Sequence, residues 1–316
     1  MYRTCVIGCG RMGRLHGERL QNDPRCELVA FYDQQPALAA TLRRELAPTA
    51  QVLEAWDDVL RLNLDVAVIC TPTTAHYQQV REGLERGWHL LCEKPLAESA
   101  ERIDELIGLA DTVKSCTMLA YQRRGWATFR TMRREVLSGH WGALRAVTFQ
   151  SWERWEQTIA GTWRDDPEIN IGGFVGDAGS HKIDLLHFVT GLGVEELVAR
   201  SSCSRSRVEV VTLLIGALTG GVPLSMTFVG NAQHQGEDLH LHFEQADLML
   251  RSGQLWIAQG NDVRPFPVEE LEPAKTPTEA FLDLVSGAGP NIAPFACARP
   301  VWDVTWAILA GGGKVR

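Results

Sequence analysis

Gly8, Gly10 and Gly13 are spaced as G-x-G-x-x-G within Cys5-Val6-Ile7-Gly8-Cys9-Gly10-Arg11-Met12-Gly13-Arg14-Leu15. A short apolar run feeds this turn, and the turn opens into a helix-compatible segment, Arg11 to Gln21. Each glycine has a task in a phosphate-binding turn. Gly8 permits the tight bend, Gly10 lets the backbone approach a pyrophosphate, and Gly13 lets helix and strand pack closely. Arg11 and Met12 then open the helix, whose unpaired N–H groups and partial positive charge favour phosphate. Asp33 follows 20 residues after Gly13, at the end of the strand-like run Glu27 to Tyr32. A carboxylate there accepts hydrogen bonds from both ribose hydroxyls of NAD and repels the 2′-phosphate of NADP. Gln34 and Gln35 come next rather than an arginine, so the pattern favours NAD. The competing reading is that Asp33 only caps a helix over Pro36 to Leu46.

Two further clusters carry chemistry. Glu93-Lys94-Pro95 follows the buried-strand pattern His89-Leu90-Leu91-Cys92. A lysine ammonium there can donate to a substrate hydroxyl and stabilise a developing alkoxide. The plainer alternative is a surface lysine, the usual fate of Lys. The second cluster runs from Gly172 to Asp184. On a helix, Asp177 and His181 fall at i and i+4 on one face, with Asp184 near the same stripe. A histidine beside a carboxylate makes a workable proton relay near neutral pH; an isolated exposed pair of this kind is worth little.

The elements that must position these residues alternate. After Asp33, helical stretches at Pro36–Leu46, Trp56–Arg61, Thr73 or Thr74 to Arg86, and Ala100–Val113 separate strand-like runs. Those runs are Gln51–Leu53, Leu64–Cys70, His89–Cys92 and Cys116–Ala120. Leu64 to Cys70 is β-branched and apolar, as in a parallel sheet covered on both faces. Pro72 ends it, and Thr73 or Thr74 can cap the next helix. This order predicts an α/β protein with a Rossmann doubly wound parallel sheet. Ligands in such sheets bind beyond the carboxyl ends of the strands, where Gly8–Gly13, Asp33, Thr71 to His76 and Glu93 to Pro95 all lie.

The second half reads differently. Trp126 to Ser138 is amphipathic and helical, and Ile183 to Thr190 continues a helix stopped by Gly191. Strand patterns at Ala143–Trp152, Arg200–Ser202, Val208–Ile215, Val222–Val229, Leu239–Leu250 and Leu255–Ala258 have few helices between them. They predict an α+β domain with a large, open, mostly antiparallel sheet. A sheet with one uncovered face needs a partner or a polar surface, so a homo-oligomer, dimer or tetramer, is expected. Helices are expected at Thr278–Ser286 and Arg299–Ala310. The expected division is 1–121 and 122–316, with the last helix able to pack on the first domain.

Composition narrows the classes. The chain has 316 residues, 45% apolar and 22% charged, with net charge −8. Two domains fit that length, and the acidic balance argues against nucleic-acid binding. No apolar run reaches membrane-spanning length and no signal peptide is seen, so neither a membrane partner nor export is expected. Eight cysteines without a C-x-x-C pair fit reduced thiols in the cytoplasm. His240 and His242 could share a strand face, but a metal site needs more ligands, so none is expected.

Taken together, the glycine turn, Thr71-Pro72 with His76, and Glu93-Lys94-Pro95 resemble the glucose–fructose oxidoreductase / inositol dehydrogenase / MocA family (Gfo/Idh/MocA). Tyr121-Gln122-Arg123-Arg124 resembles the passage into that family's second domain, and the resemblance spans nearly the whole chain. It implies a catalytic lysine in Glu-Lys-Pro, often with a cis Lys–Pro bond, and a D-x-x-x-H pair acting with it. Carried over, the catalytic set is Lys94, Asp177 and His181, with Asp184 matching a further acid. The cofactor contacts are Gly8, Gly10, Arg11, Met12, Gly13, Asp33, Thr71, Pro72, His76, Glu93 and Lys94. The resemblance also implies that the open sheet face makes the oligomer contact. Arg123 is a substrate candidate, as are Trp163 and Arg164, since aromatic faces stack on sugar C–H surfaces and Arg binds hydroxyls or carboxylates.

The expectation is therefore an NAD-dependent oxidoreductase moving hydride between nicotinamide and a secondary alcohol or ketone of a sugar, sugar derivative or cyclitol. Two rivals share the sequence features. One is a redox-neutral glycosidase with a captive NAD; the other is a nucleotide-binding regulator without catalysis.

Overall fold

A computed structural model describes residues 1–170 and 172–315, with the Trp163 side chain outside the description. In chain order the elements begin β1 (Tyr2–Ile7), α1 (Arg11–Gln21), β2 (Cys26–Tyr32), α2 (Pro36–Leu46), β3 (Gln51–Leu53), α3 (Trp56–Leu60) and β4 (Val66–Ile69). They continue with α4 (Thr73–Glu85), β5 (His89–Cys92), α5 (Ala100–Thr112), β6 (Thr117–Leu119), α6 (Ala127–Ser138), β7 (Leu144–Trp152) and α7 (Trp155–Ile159). Next come α8 (Ser180–Thr190), β8 (Val194–Ser202), β9 (Val211–Leu218), β10 (Val222–Val229), β11 (Gly236–Phe243), β12 (Asp247–Arg251), β13 (Gln254–Gln259) and β14 (Asp262–Pro265). The chain closes with α9 (Pro277–Val285), α10 (Ala298–Leu309) and β15 (Gly312–Lys314). Two compact units result: Met1–Gly125 with Lys275–Arg299, and Trp126–Ala274 with Pro300–Arg316.

The first unit is built on a six-stranded sheet in the order β3-β2-β1-β4-β5-β6. Every pairing in it is parallel. Strand order reverses between β1 and β4, which makes that pair the switch point where such sheets open a crevice. The strands at this point are buried throughout their inner residues, Val66 to Ile69 in β4 and Leu90 to Cys92 in β5. Their unbroken apolar character follows from helices on both faces. β4 stops before Pro72, as the sequence requires. α4 departs from expectation at its start. It begins at Thr73 with Pro72 as its N-cap and no side-chain cap, so Thr73 and Thr74 lie inside the helix. Thr71 is the residue whose hydroxyl is engaged, at 2.6 Å from Gln79 Oε1.

α9 belongs to this first unit. A capping box starts it: Thr276 accepts from the Glu279 amide, and the Glu279 carboxylate accepts from the Thr276 amide. Lys275 in turn donates its amide to Gly125 O at 2.8 Å.

The second unit holds a nine-stranded sheet ordered β14-β13-β12-β11-β7-β10-β9-β8-β15. All pairings are antiparallel except β7 with β10. The sequence pattern read Leu239–Leu250 as one strand, and the structure splits it. β11 ends at Phe243 and β12 restarts at Asp247, with the Phe243 amide donating to Ala246 O across the turn. The apolar run hides this turn because Phe243, Ala246 and Leu248 are all buried. β8 and β9 are longer or shifted relative to expectation, at Val194–Ser202 and Val211–Leu218. β14 and β15 went unpredicted. β14 is exposed at every residue and β15 is Gly-Gly-Lys, so neither has an apolar alternation to read.

One face of this sheet is covered and the other carries apolar residues in the open. Val198, Leu213 and Ile215 are 64%, 54% and 66% exposed. They lie on neighbouring strands, with Val198 opposite Ile215 and Arg200 opposite Leu213.

Candidate active site

The glycine turn is built as its spacing demands. Gly8 sits at φ +89°, and a Cβ there would come within 2.6 Å of Cys70 C and Thr71 N. A Cβ on Gly13 would lie 1.9 Å from Gly8 O, so α1 can rest on the turn only without a side chain at that position. Gly10 is different: nothing lies within 4 Å of where its Cβ would be. It is also the N-cap of α1, with no side-chain cap and no acid in the first turn. The α1 N-terminus thus has open space at Gly10 and neither a side-chain cap nor an acid to neutralise its partial positive charge, as a pyrophosphate cradle needs.

Asp33 does not cap α2, whose N-cap is Gln35 without a side-chain bond. Its carboxylate instead turns back to the glycine turn. Oδ2 accepts from the Cys9 amide at 2.7 Å and Oδ1 from the Gln35 amide at 2.8 Å. Two main-chain donors fix the carboxylate plane at the carboxyl end of β2 while each oxygen keeps accepting capacity for a hydroxyl. Gln34 and Gln35 beside it are exposed. This acceptor pair suits an adenosine ribose with free hydroxyls. Cys9 contributes its amide and not its thiol: burial and the charge of Asp33 push that thiol up to about 12.

Glu93, Lys94 and Pro95 form the turn after β5, and the Lys94–Pro95 bond is cis. Glu93 donates its amide to Ile69 O at 2.8 Å. His76, predicted to face the cofactor, is buried with both ring nitrogens engaged. Nδ1 lies 2.7 Å from Pro95 O and Nε2 2.8 Å from Thr71 O. Burial holds its pKa below the ordinary imidazole value, against the two carbonyls and Glu93. Arg123 lies half-buried in a short 3₁₀ turn, Gln122–Gly125. Its neighbour Arg124 is the buried one, donating to Ile292 O at 2.8 Å with its guanidinium over the Tyr121 ring.

In the second unit Asp177 lies within a π-helical turn, Val175–Gly179, that leads into α8. The regular α-helical i, i+4 spacing expected for Asp177 and His181 is therefore replaced by a wider turn, of the type found at functional sites. Asp177 Oδ2 accepts from Trp155 Nε1 at 3.2 Å and from Arg164 Nε at 2.9 Å. Arg164, expected to touch substrate, thus makes an ion pair with Asp177. His181 is half-buried in the first turn of α8, and Asp184 is buried one turn later.

Sequence reasoning did not single out Trp155 as the aspartate's partner, nor Lys182. Lys182 is 1% exposed, pairs with Glu153, and donates to Ala178 O at 3.3 Å. The signal was available: Lys182 directly precedes the largely apolar run from Ile183 to Val189, and a lysine drawn into that packing needs a buried partner. Among the described residues no group of three or more His, Cys, Asp or Glu could hold a metal ion. His242 pairs with Asp247 at 3.0 Å, and His240 accepts from Arg251. Among the described residues no helix is long and apolar enough to cross a membrane.

A six-stranded parallel sheet with a glycine turn at its switch point defines a dinucleotide-binding protein. Comparison with known proteins makes the class specific. Residues 2–121 match the oxidoreductase family with an NAD-binding Rossmann fold, and residues 129–249 match the GFO/IDH/MocA C-terminal domain. The chain belongs to the Gfo/Idh/MocA family. It is 26% identical over 189 residues to inositol 2-dehydrogenase of Rhizobium meliloti, covering 60% of this chain and 55% of that one. It is 26% identical over 194 residues to D-glucoside 3-dehydrogenase of Escherichia coli K12, covering 60% and 54%. The matched stretch thus spans about half the length of these curated relatives. In fold it is similar to an inositol dehydrogenase homologue of Azotobacter vinelandii solved with NAD+ (TM-score 0.84, 20% identity, 99% and 97% coverage).

Proposed function

We propose that this protein is an NAD-dependent oxidoreductase moving hydride between nicotinamide and a secondary alcohol or ketone of a sugar, sugar derivative or cyclitol. The observation that carries the reading is Asp33. Its carboxylate is pinned by the Cys9 and Gln35 amides beside an open glycine turn, with no basic side chain directly after it. The names of the curated relatives, an inositol and a glucoside dehydrogenase, support the substrate class.

Nicotinamide supplies the hydride acceptor or donor. The chain supplies position and charge. Gly8, Gly10 and Gly13 with the first turn of α1 hold the pyrophosphate, and Asp33 holds the ribose. The Lys94 ammonium donates to the substrate oxygen and stabilises the alkoxide as it forms. In the oxidative direction the His181 imidazole accepts the hydroxyl proton. Asp177 supplies negative charge beside that histidine, and Trp155 and Arg164 fix its orientation.

NADH titration by fluorescence, with NADPH in parallel, tests the cofactor assignment after a check for carried-over nucleotide. Reversible binding that favours NADH, followed by turnover on a panel of polyols and sugars, is the expected result. No binding and no resident nucleotide would remove the mechanism. A tightly held, non-exchanging NAD would favour the redox-neutral glycosidase. Asp33→Ala should cost about 1.5–3 kcal/mol in NADH affinity through a lost charge-assisted bond, while NADPH binding is held or improved. An unchanged NADH/NADPH ratio would remove Asp33 from the ribose site.

The reading includes a cytoplasmic protein whose second copy covers Val198, Leu213 and Ile215. Leu213→Lys with Ile215→Lys should lower the mass seen by light scattering while leaving the fold intact, because both side chains already face solvent. The same mass as the unsubstituted protein would place any subunit contact elsewhere.

A further inference from the structure

The Glu93-Lys94-Pro95 turn is gripped from both sides by buried imidazoles. On one side stands His16, 0% exposed, three residues beyond Gly13 on α1. Its Nε2 lies 3.2 Å from Glu93 Oε1 and its Nδ1 2.8 Å from Thr278 Oγ1 on α9. A carboxylate only accepts, so Nε2 carries the hydrogen and the Thr278 hydroxyl can donate to Nδ1. The other Glu93 oxygen, Oε2, accepts from the Lys94 amide at 3.3 Å. On the other side stands His76 of α4, with Nδ1 against Pro95 O and Nε2 against Thr71 O; kept neutral by burial, the ring donates to one of these carbonyls and abuts the other. The Lys94 turn is therefore held through the Glu93 carboxylate on one side and the Pro95 carbonyl on the other, by two rings on two different helices. Arg19, one turn beyond His16, adds a cation whose charge acts on Glu93 and Glu279.

We infer that His16 and His76 are positioning residues for Lys94, holding its turn in register with the helix that receives the nucleotide. The inference rests on the proposed role of Lys94. Neither imidazole touches reacting atoms: His16 works through Glu93, and His76 through the Pro95 carbonyl. α1 presents its N-terminus to phosphate and His16 to Glu93, so a single rigid helix sets both the nucleotide and the lysine turn. Thr278 extends the grip to α9 and fixes the His16 tautomer. This gives a chemical reason for a histidine and a glutamate at positions that a packing role alone would fill with apolar residues.

The test uses the full chain carrying His16→Leu, His16→Gln, His76→Gln or Thr278→Val. The readout is reductive methylation of Lys94, followed by mass spectrometry, with exposed Lys114 as internal standard. Labelling needs neither substrate nor nucleotide. A wild-type protein that binds no NADH would defeat the proposed function and leave this comparison intact. His16→Leu should raise Lys94 labelling relative to Lys114 by about tenfold, the local opening expected when a buried hydrogen bond is lost. His16→Gln keeps an amide donor for Glu93 and should return most of the way. His76→Gln keeps N–H donors but not the rigid ring that spans the two carbonyls, and should show an intermediate rise. Thr278→Val exchanges a hydroxyl for a methyl in the same volume, and it decides the matter if His16→Leu does not fold. On a turned-over substrate, His16→Leu should lower kcat about 10–100-fold with the NADH Kd within about threefold. Unchanged Lys94 labelling in His16→Leu, or in Thr278→Val where the former is unfolded, overturns the inference. So does a loss of turnover explained wholly by weaker NADH binding, or a His16→Gln protein no better than His16→Leu.

Discussion

Lys94→Ala should bind NADH as the unsubstituted protein does and lose about 10²–10⁴-fold in kcat, the span of a positioned proton donor and an oxyanion stabiliser. The separation of the two effects follows from how the turn is held. Its anchors are the Glu93 amide on Ile69 O, the Glu93 carboxylate on His16 and the Lys94 amide, and the Pro95 carbonyl on His76. None of them uses the Lys94 side chain, so removing it leaves the backbone in place. The phosphate cradle lies on another loop, after β1, and should be untouched. Steady-state rates on the best substrate of the panel, with NADH titration of the same preparation, check both halves. Lys94→Arg separates charge from position: a guanidinium is larger and planar, so it should recover little. Full activity in Lys94→Ala would remove the lysine from the mechanism.

The parts of the site that sequence discloses are those with rigid local geometry. Gly8, Gly10 and Gly13 occupy fixed offsets because a turn and a helix contact demand them, and Asp33 lies where β2 must end. The β4 and β5 runs are legible because strands covered on both faces carry no polar interruption. What the sequence withheld was partnership. Helical spacing sets Asp177 beside His181, but it says nothing of Trp155 and Arg164, 22 and 13 residues away in the chain, which donate to its Oδ2. A π-helical turn has no sequence signature that spacing arguments can use. His16 was hidden for a related reason. A histidine on a helix face looks like packing until Glu93, 77 residues further on, is seen at its ring. Lys182 was the readable omission, since a lysine beside the apolar run of α8 calls for a partner, which the structure supplies as Glu153. β15 and β14 lay beyond pattern reading because edge strands need no apolar face.

Gly13→Ala should abolish measurable NADH binding and lower stability by about 1–3 kcal/mol, the usual cost of overpacking. The added methyl would stand 1.9 Å from Gly8 O and 2.9 Å from Gly8 C, and neither is a side chain that can swing aside. Either α1 must lift off β1 or the turn must move. Gly8 has little room to move, because its own φ is +89° and Cys70 and Thr71 already crowd it. Lifting α1 displaces the N–H groups meant for phosphate and pulls His16 from Glu93 at the same time. The substitution should therefore harm two functions through one helix: nucleotide affinity directly, and the Lys94 turn through its anchor. Gly10→Ala is the matched control, because no atom lies within 4 Å of its added Cβ. That protein should fold with unchanged stability and lose NADH affinity only as far as the methyl obstructs the pyrophosphate. Thermal melts with NADH titrations of the two variants distinguish the cases. If Gly13→Ala melts and binds like the unsubstituted protein, the contact between α1 and the glycine turn is looser than this geometry requires. The coupling between nucleotide and lysine through His16 would then lose its mechanical basis.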